Sequence, residues 1–271
     1  MRFGIFLKVI ERTTLQEKFA AVRSLGLDCV QFNLSCAGLP EMPDELDPAA
    51  VERIRAAAQA AGVSIAALSG TYNMIHPDLR ERELGLRRLA VLAAACRGLG
   101  TRVLTLCTGT RDPENMWRRH PGNDAPDAWS DLLHVMERAL RIAEEHQVVL
   151  AFEPEHANVV SSARRGRALL DAMRSPWLKV VMDGANLIEP GRPQLPLLAE
   201  AFDLLGPDLV LAHAKDWAAG GGFCAAGQGI LDYAAYLRLL QPYAGLLPLV
   251  LHTLQESETR QCLQFLAQVS Q

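Results

Sequence analysis

The sequence lacks the features that mark several classes of protein. No apolar stretch in this chain of 271 residues is long enough to span a bilayer. The opening segment MRFGIFLKVIERTT has neither the apolar run nor the small-residue cleavage site of a signal peptide. The six cysteines include no CxxC pair, which argues against a zinc framework or a disulfide scaffold. These absences predict a cytoplasmic protein with reduced cysteines and no membrane partner.

The chain also lacks an excess of positive charge. It carries 27 Lys and Arg residues against 31 Asp and Glu residues, a formal net charge of −4. Such a balance gives no general attraction for a polyphosphate, so nucleic acid is not an expected partner. No glycine-rich phosphate turn follows the first apolar run, RFGIFL (2–7), and this argues against a dinucleotide-binding open sheet.

What is present is a regular alternation of short apolar runs and longer amphipathic stretches. The runs are nearly continuously apolar, which is typical of parallel strands covered on both faces. Strands are predicted at 2–7, 28–33, 63–69, 102–107, 147–153, 178–183, 208–213 and 247–252. Helices are predicted at 15–26, 47–62, 78–100, 127–146, 162–173, 193–206, 232–240 and 256–268.

Eight strand–helix units in 271 residues match the usual size of a closed (β/α)8 TIM barrel, an α/β fold. No Pro/Ser-rich linker or block of charge interrupts the repeat, so the sequence predicts a single domain over residues 1–271. An open doubly wound sheet is the structural alternative, and the missing phosphate turn disfavours it.

Ligand-type side chains stand at the ends of four consecutive strands: Glu153, Asp183, His213 and His252. In a barrel of this kind the active site forms where the strands end, so these side chains are expected to converge. Two carboxylates and two imidazoles suit a divalent cation. Each has a plain structural alternative, because Asp183-Gly184 is a common turn dipeptide and either histidine can be a hydrogen-bonded core residue. The coincidence of all four favours a metal site.

Several segments resemble the xylose isomerase-like TIM-barrel family, which includes sugar phosphate isomerases and epimerases and the AP endonuclease family 2 proteins. The resemblance extends over nearly the whole chain. It rests on the order of TYNMIHPD (71–78), FEPE (152–155), MDGAN (182–186), AHAKD (212–216) and GQGILDY (227–233).

The resemblance implies a set of metal ligands. Members of the family bind one divalent cation through a Glu, an Asp, a His and a second Glu after strands five to eight. Glu153, Asp183 and His213 match the first three, whereas His252 stands where the second Glu is expected. At position 186 this chain has Asn, where many members of the family have a His that contacts substrate. The implied cofactor is therefore one divalent ion (Mn, Zn, Fe, Co or Mg), with His252 as fourth ligand or as an unligated acid.

The resemblance further implies the reaction. Family members isomerise or epimerise sugars or keto sugars through an enediolate on the cation, and Glu153 is the expected base. A dehydratase of sugars or keto acids on the same barrel is the nearest alternative, and a non-catalytic metal- or sugar-binding barrel is another. Endonuclease IV-like DNA repair is disfavoured because the chain has seven histidines and lacks a D-x-H pattern over 214–232. The expected partner is a small sugar-derived molecule. Both a monomer and a homo-oligomer are compatible with the sequence.

Further side chains near the strand ends are predicted to bind substrate. They are Glu155, Asn186, Lys215, Asp216, His76, Trp117 and His120. An alternative to substrate binding is that Lys215 and Asp216 form a solvated ion pair and that Glu155 only orders its loop. Tyr72 and Asn73 are weaker candidates. The segment 111–129 is long for a barrel connection and is interpreted as a lid whose arginines can hold an anion, and 220–229 as a second mobile loop.

Overall fold

The computed structural model describes residues 1–270, and its centre is a ring of eight parallel strands. The strands of the sheet are β1 (Arg2–Phe6), β2 (Cys29–Phe32), β3 (Ser64–Ser69), β4 (Val103–Leu106), β5 (Val149–Phe152), β6 (Leu178–Asp183), β7 (Leu209–Trp217), β8 (Phe223–Ala225) and β9 (Pro248–Leu251). Sequential neighbours pair from β1 to β7, and β9 pairs with both β1 and β7, which closes the ring. The predicted single-domain (β/α)8 barrel is confirmed.

Eight helices surround the ring. They are α1 (Leu15–Ser24), α2 (Pro48–Ala60), α3 (Leu79–Leu99), α4 (Pro126–His146), α5 (Ala163–Met173), α6 (Gln194–Leu205), α7 (Tyr233–Leu240) and α8 (Thr259–Val269). Their ends follow local chemistry: Thr14 and Glu17 form a capping box at α1, and Gly100 ends α3 in the left-handed conformation. Over residues 1–270, no helix is both long and apolar enough to cross a membrane.

The seventh barrel strand differs from its prediction. The sequence predicts an end at residue 213, but β7 continues to Trp217, and the chain then folds back as the antiparallel strand β8. Gly221 and Gly222 allow this reversal because both adopt positive φ angles. The interpretation of 220–229 as a mobile loop is therefore wrong for Phe223–Ala225, since these residues pair with β7 and hold Phe223 opposite Trp217.

Inside the ring, strand alternation places polar side chains directly above an apolar layer. The layer consists of Ala67, Ala151, Val181, Leu211 and Val250, all buried. Side chains two residues apart on a strand share a face. Counting two residues onward from each member of the layer therefore leads to Ser69, Glu153, Asp183, His213 and His252. This period of two is the reason that the charged side chains point into the mouth of the barrel.

Candidate active site

Three side chains from neighbouring strands meet at the floor of the barrel mouth. Glu153 follows β5, Asp183 ends β6 and His213 lies within β7. Each offers one ligand-type atom, and the three atoms lie within 4.8 Å of one another. His213 Nδ1 is 3.2 Å from Glu153 Oε2 and 3.7 Å from Asp183 Oδ2. The structure thus brings together three of the four predicted metal ligands.

Lys215 reaches the same cluster. It lies two residues after His213 on the same face of β7, and its side chain is buried. Its Nζ is 3.1 Å from Asp183 Oδ2 and 3.5 Å from Glu153 Oε1. The Nζ also lies 4.0 Å from the centre of the Phe223 ring on β8, a cation–π distance. Lys215 therefore supplies an internal positive charge to the two buried carboxylates.

The electrostatics of the cluster are those of tightly paired buried charges. Burial alone would raise the pKa of Glu153, but the charges of His213 and Lys215 outweigh it and hold that pKa well below its usual range. Burial would lower the pKa of His213, yet the Glu153 and Asp183 carboxylates raise it to about 9. The same two carboxylates overcome burial and raise the pKa of Lys215. The floor therefore carries two carboxylates and two compensating cations.

The donor set fits a divalent cation. Asp183 Oδ2 and His213 Nδ1 are buried and make no hydrogen bond of good geometry, although both point at opposite charges. Unsatisfied buried polar atoms are rare in folded proteins, and a cation bound between them would satisfy both. Two carboxylate oxygens and one imidazole nitrogen are a donor set that Mn, Fe, Co and Zn accept.

A network of neutral side chains orients His213 from the opposite side of the barrel. The Nε2 of Gln31 donates to Ser69 Oγ at 3.0 Å and to Thr105 Oγ1 at 3.2 Å. This leaves Gln31 Oε1 to accept from His213 Nε2 at 2.8 Å. The bond holds the Nε2 proton and directs Nδ1 at Glu153 and Asp183, where Nδ1 carries a proton in the metal-free protein and would give it up to bind a cation. Sequence reasoning missed Gln31; the available signal was a polar residue within the apolar strand β2.

His252 lies beside the cluster but is not one of the three converging ligands. Its ring stacks on that of His213 with centroids 5.1 Å apart and contacts Phe6 edge-on. Its Nδ1 is 2.7 Å from the hydroxyl of Thr253. Burial and the charges of Lys215 and His213 hold the pKa of His252 well below its ordinary value, so the ring is neutral. His252 also lines the cavity above the floor.

Two other predicted residues contact or face the cluster. Asn186 Nδ2 donates to Glu153 Oε1 at 2.6 Å, which fixes the orientation of that carboxylate. Glu155 lines the cavity, and burial together with the nearby charge of Glu153 raises its pKa to about 8. Asn186 therefore acts on Glu153 in this structure, whereas the Glu155 carboxyl faces the space that a ligand would enter.

Three predicted substrate contacts are directed elsewhere. The carboxylate of Asp216 accepts hydrogen bonds from the backbone amides of Trp217, Gly227 and Leu231, and thereby secures the segment that follows β7. Its side chain lies on the face of the strand opposite that of His213 and Lys215. His76 contacts the Pro113 carbonyl, and His120 accepts from the Gly122 amide. None of Asp216, His76 and His120 lines the cavity; all three hold loops.

The predicted lid over 111–129 is an ordered segment. The Asp112 carboxylate caps it through the amides of Glu114 and Asn115 and pairs with the Arg118 guanidinium. Asn73 also belongs to this framework, because its Oδ1 accepts from the Thr110 amide. Arg118 is thus engaged within the segment and does not face the cavity.

A cavity of about 870 Å³ opens above the floor. Its base is formed by Glu153, His213, Lys215 and His252, and Trp117 lines it from the predicted lid. The C-terminal face of the barrel is where this fold carries its active sites. A deep cavity with convergent charged groups at its base is the usual form of a small-molecule site.

Comparison with known proteins agrees with this geometry. The family model described as "Xylose isomerase-like TIM barrel" matches residues 19–268. No curated protein matches the chain significantly.

Solved structures of the same architecture include several enzymes. The 3-keto-D-glucoside 4-epimerase of E. coli is 17% identical with a TM-score of 0.75, and each chain is covered to 99%. A probable 3-DHS dehydratase from Bacillus anthracis is 12% identical with a TM-score of 0.75, covering 99% of this chain and 98% of its own. The IolI protein, solved with a zinc atom, is 15% identical with a TM-score of 0.76, covering 100% of this chain and 98% of its own. At these identities the likeness establishes the fold.

Proposed function

The chain belongs to the xylose isomerase-like TIM-barrel family, and from that premise we propose that it isomerises or epimerises a sugar or keto sugar with the aid of one divalent cation. The observation that carries the proposal is the convergence of ligand atoms from Glu153, Asp183 and His213 within 4.8 Å, in a cluster whose Glu153 and His213 line the cavity. Structural neighbours that are sugar epimerases support it.

Each residue at the base has a distinct task in this proposal. Glu153, Asp183 and His213 hold the cation through the atoms that converge. When bound, the cation polarises a substrate carbonyl and the neighbouring hydroxyl, which acidifies the C–H bond between them. An oxygen of Glu153 removes that proton, and Asn186 keeps the carboxylate in place through its bond to Oε1.

Lys215 offsets the negative charge that develops on the substrate oxygens after proton removal. Its ammonium group lies between Asp183 and Glu153 without access to bulk water, where an electrostatic interaction is stronger than in solution. Replacement of the expected second Glu by the neutral His252 removes one negative charge from the base. Both features favour a substrate that becomes anionic during the reaction.

Hydrogen exchange tests the proposal whichever product is formed. Purified protein loaded with Mn²⁺ is incubated with a panel of ketohexoses and keto sugars in D₂O, and deuterium beside the carbonyl is followed by NMR. At least one substrate is expected to incorporate deuterium with wild-type protein and not with Glu153→Gln. Absence of exchange throughout the panel, or equal exchange by the variant, would contradict the assignment of Glu153 as the base.

Dehydration of a sugar or keto acid is the second candidate. The base of the cavity is chemically asymmetric, because Glu153 lines it with a carboxylate and His252 lines it with a neutral imidazole stacked on His213. One carboxylate base without a second carboxylate opposite it suits elimination as well as isomerisation, and the likeness to a probable dehydratase is consistent with it. Mass spectrometry of the same incubations separates the two, since only dehydration removes one water from the substrate.

A further inference from the structure

Two hydroxyl groups on neighbouring strands lie side by side in the wall of the cavity. Ser69 on β3 and Thr105 on β4 are partners in the register of the parallel sheet, and both line the cavity. Ser69 is 4% exposed and Thr105 is 5% exposed. Neither residue was among the substrate contacts predicted from the sequence. Because buried polar groups in folded proteins are hydrogen-bonded, the partners of these two hydroxyls indicate what they can bind.

A chain of hydrogen bonds fixes the direction in which the two hydroxyls bond. His213 Nε2 donates its proton to Gln31 Oε1, and Gln31 Nε2 donates to Ser69 Oγ and to Thr105 Oγ1. A carboxamide oxygen can only accept and a carboxamide nitrogen can only donate, so the proton on His213 sets the direction of every bond in the chain. That proton remains on Nε2 when Nδ1 binds a cation, so the direction does not depend on the metal.

Each hydroxyl therefore accepts a hydrogen bond from Gln31 and keeps its own proton to donate. Within residues 1–270, neither Ser69 Oγ nor Thr105 Oγ1 donates to another protein atom. A hydroxyl has one proton to donate, so the wall of the cavity carries two adjacent donors. Hydrogen bonds in a chain polarise one another, which strengthens the donors at its end. We define Ser69 and Thr105 as the donor pair.

The donor pair lies apart from the place where the ligand atoms converge. The imidazole of His213 and the carboxamide of Gln31 stand between the donor pair and His213 Nδ1. An oxygen bound at the donor pair is thus a different atom from the carbonyl and hydroxyl oxygens that the proposed reaction places at the cation. This further oxygen needs only to accept a hydrogen bond, as any hydroxyl along a sugar chain can do.

We propose that Ser69 and Thr105 are substrate-binding residues, which together donate to one hydroxyl oxygen of the sugar beyond its two reacting carbons. The inference rests on the proposed function for the identity of the ligand as a sugar. It adds a third point of attachment to the two oxygens at the cation. Three points fix which face of the reacting carbon is presented to Glu153, so the donor pair determines stereochemical specificity. Gln31 is the positioning residue of the pair.

Binding of ketoses tests the inference without turnover. D-fructose, D-psicose, D-tagatose and L-sorbose are titrated into the full-length Mn²⁺-loaded protein by calorimetry. At least one is expected to bind, and Ser69→Ala and Thr105→Val should each weaken it about three- to tenfold, as for loss of one hydrogen bond.

Deoxy derivatives of the ketose that binds separate a direct contact from a structural role. The 4-, 5- and 6-deoxy derivatives are titrated into the wild type and into the double variant Ser69→Ala/Thr105→Val. One derivative should bind more weakly than the parent sugar to the wild type and equally weakly to the double variant, because the contact is already lost. If the two hydroxyls only supported the fold, the double variant would lose affinity for every derivative alike.

Gln31→Glu tests the direction of the chain. A carboxylate at this position still accepts from His213 but has no proton to donate, so both hydroxyls turn to donate to it and are lost to the sugar. The affinity for the ketose should therefore fall as in the double variant. Thr101→Val is the matched control, because Thr101 is equally buried, precedes β4 and donates to the Ala66 carbonyl. Thr101 does not line the cavity, so its substitution should leave the affinity unchanged.

The outcomes distinguish this inference from the proposed function. Binding that the Ser69 and Thr105 variants do not weaken, or that Gln31→Glu retains in full, would overturn the donor pair. Weakened binding in the variants without hydrogen exchange by the wild type would contradict the proposed reaction alone. Exchange with unchanged affinity in the variants would contradict the donor pair alone, and no binding of any ketose would overturn both.

Discussion

The two sides of the barrel mouth are built from different chemistry. The strands β5 to β7 contribute the charged side chains Glu153, Asp183, His213 and Lys215, whereas β2 to β4 contribute Gln31, Ser69 and Thr105, which are neutral. We call these the charged side and the neutral side. One hydrogen bond, from His213 Nε2 to Gln31 Oε1, links them. The reactive groups therefore lie on the charged side, and the neutral side orients one of them, His213.

The largest expected effect comes from removing the base on the charged side. Glu153→Gln keeps the size of the side chain and the contact to Asn186 but cannot accept a proton. The rate of hydrogen exchange should fall about 10²- to 10⁴-fold, the range for loss of a general base. Glu200→Gln, on a surface ion pair with Arg164, should leave the rate unchanged. Retention of wild-type exchange by Glu153→Gln would remove this residue from the mechanism.

Removing the internal cation should affect stability more than any change on the neutral side. Lys215→Met removes one of the two buried cations that offset Asp183 and Glu153, and breaking such a buried pair costs about 3–5 kcal/mol of unfolding free energy. Denaturant unfolding in EDTA measures it, and added Mn²⁺ should recover part of the loss. Lys179→Met is the control, because its pair with Asp208 is partly exposed, and the expected cost is about 1 kcal/mol or less. Equal losses in the two variants would argue against a buried charge cluster.

On the neutral side, Gln31→Leu should weaken cation binding without removing a ligand. Loss of a group that orients a metal-binding histidine typically lowers affinity about 10- to 100-fold. Calorimetric titration with Zn²⁺ measures the change, and Gln31→Glu should retain more affinity because it still accepts from His213. The ¹⁵N resonance of His213 Nε2 should shift more in Gln31→Leu than in Gln31→Glu, because only the leucine variant loses the acceptor. An unchanged affinity and an unchanged Nε2 resonance in Gln31→Leu would contradict the orienting role of the neutral side.

A further expected effect is a dependence of stability on pH in the metal-free protein. In the folded state Glu153 and Asp183 overcome burial and raise the pKa of His213 to about 9, whereas in the unfolded chain it is about 6.5. This contribution is complete below pH 6.5 and is lost as the pH rises through 9. Glu155, with a pKa raised to about 8, changes stability in the same direction. Melting in EDTA should therefore show a Tm that falls from pH 6.5 to 9, and less steeply in His213→Gln. A rising Tm would contradict the pairing.

The charged side could be predicted from the sequence because all parallel strands of a barrel end at the same rim. Glu153, Asp183 and His213 each close or interrupt an apolar run, and the barrel topology brings strand ends together at one rim. Lys215 was predicted near the site but not within the carboxylate pair. The signal for its position was its spacing from His213, since residues two apart on a strand share a face.

The neutral side and the β7–β8 hairpin could not be predicted from the sequence in this way. Gln31 lies within β2, and a single polar residue in an apolar run gives no indication of its partner across the barrel, His213. The glycine-rich stretch before Phe223 has the composition of a mobile loop, but pairing with β7 overrides that local tendency. Loop histidines such as His76 and His120 were predicted from residue type, whereas backbone hydrogen bonds decide where they point.

The central claim is that one divalent cation is bound on the charged side by Glu153, Asp183 and His213. The most direct measurement is a calorimetric titration of metal-stripped protein with Mn²⁺, performed in parallel on Asp183→Asn. We expect one ion per chain for the wild type and at least a tenfold loss of affinity in the variant, because a neutral amide replaces one of the two carboxylate ligands. Absence of binding, or equal binding by both proteins, would contradict the claim.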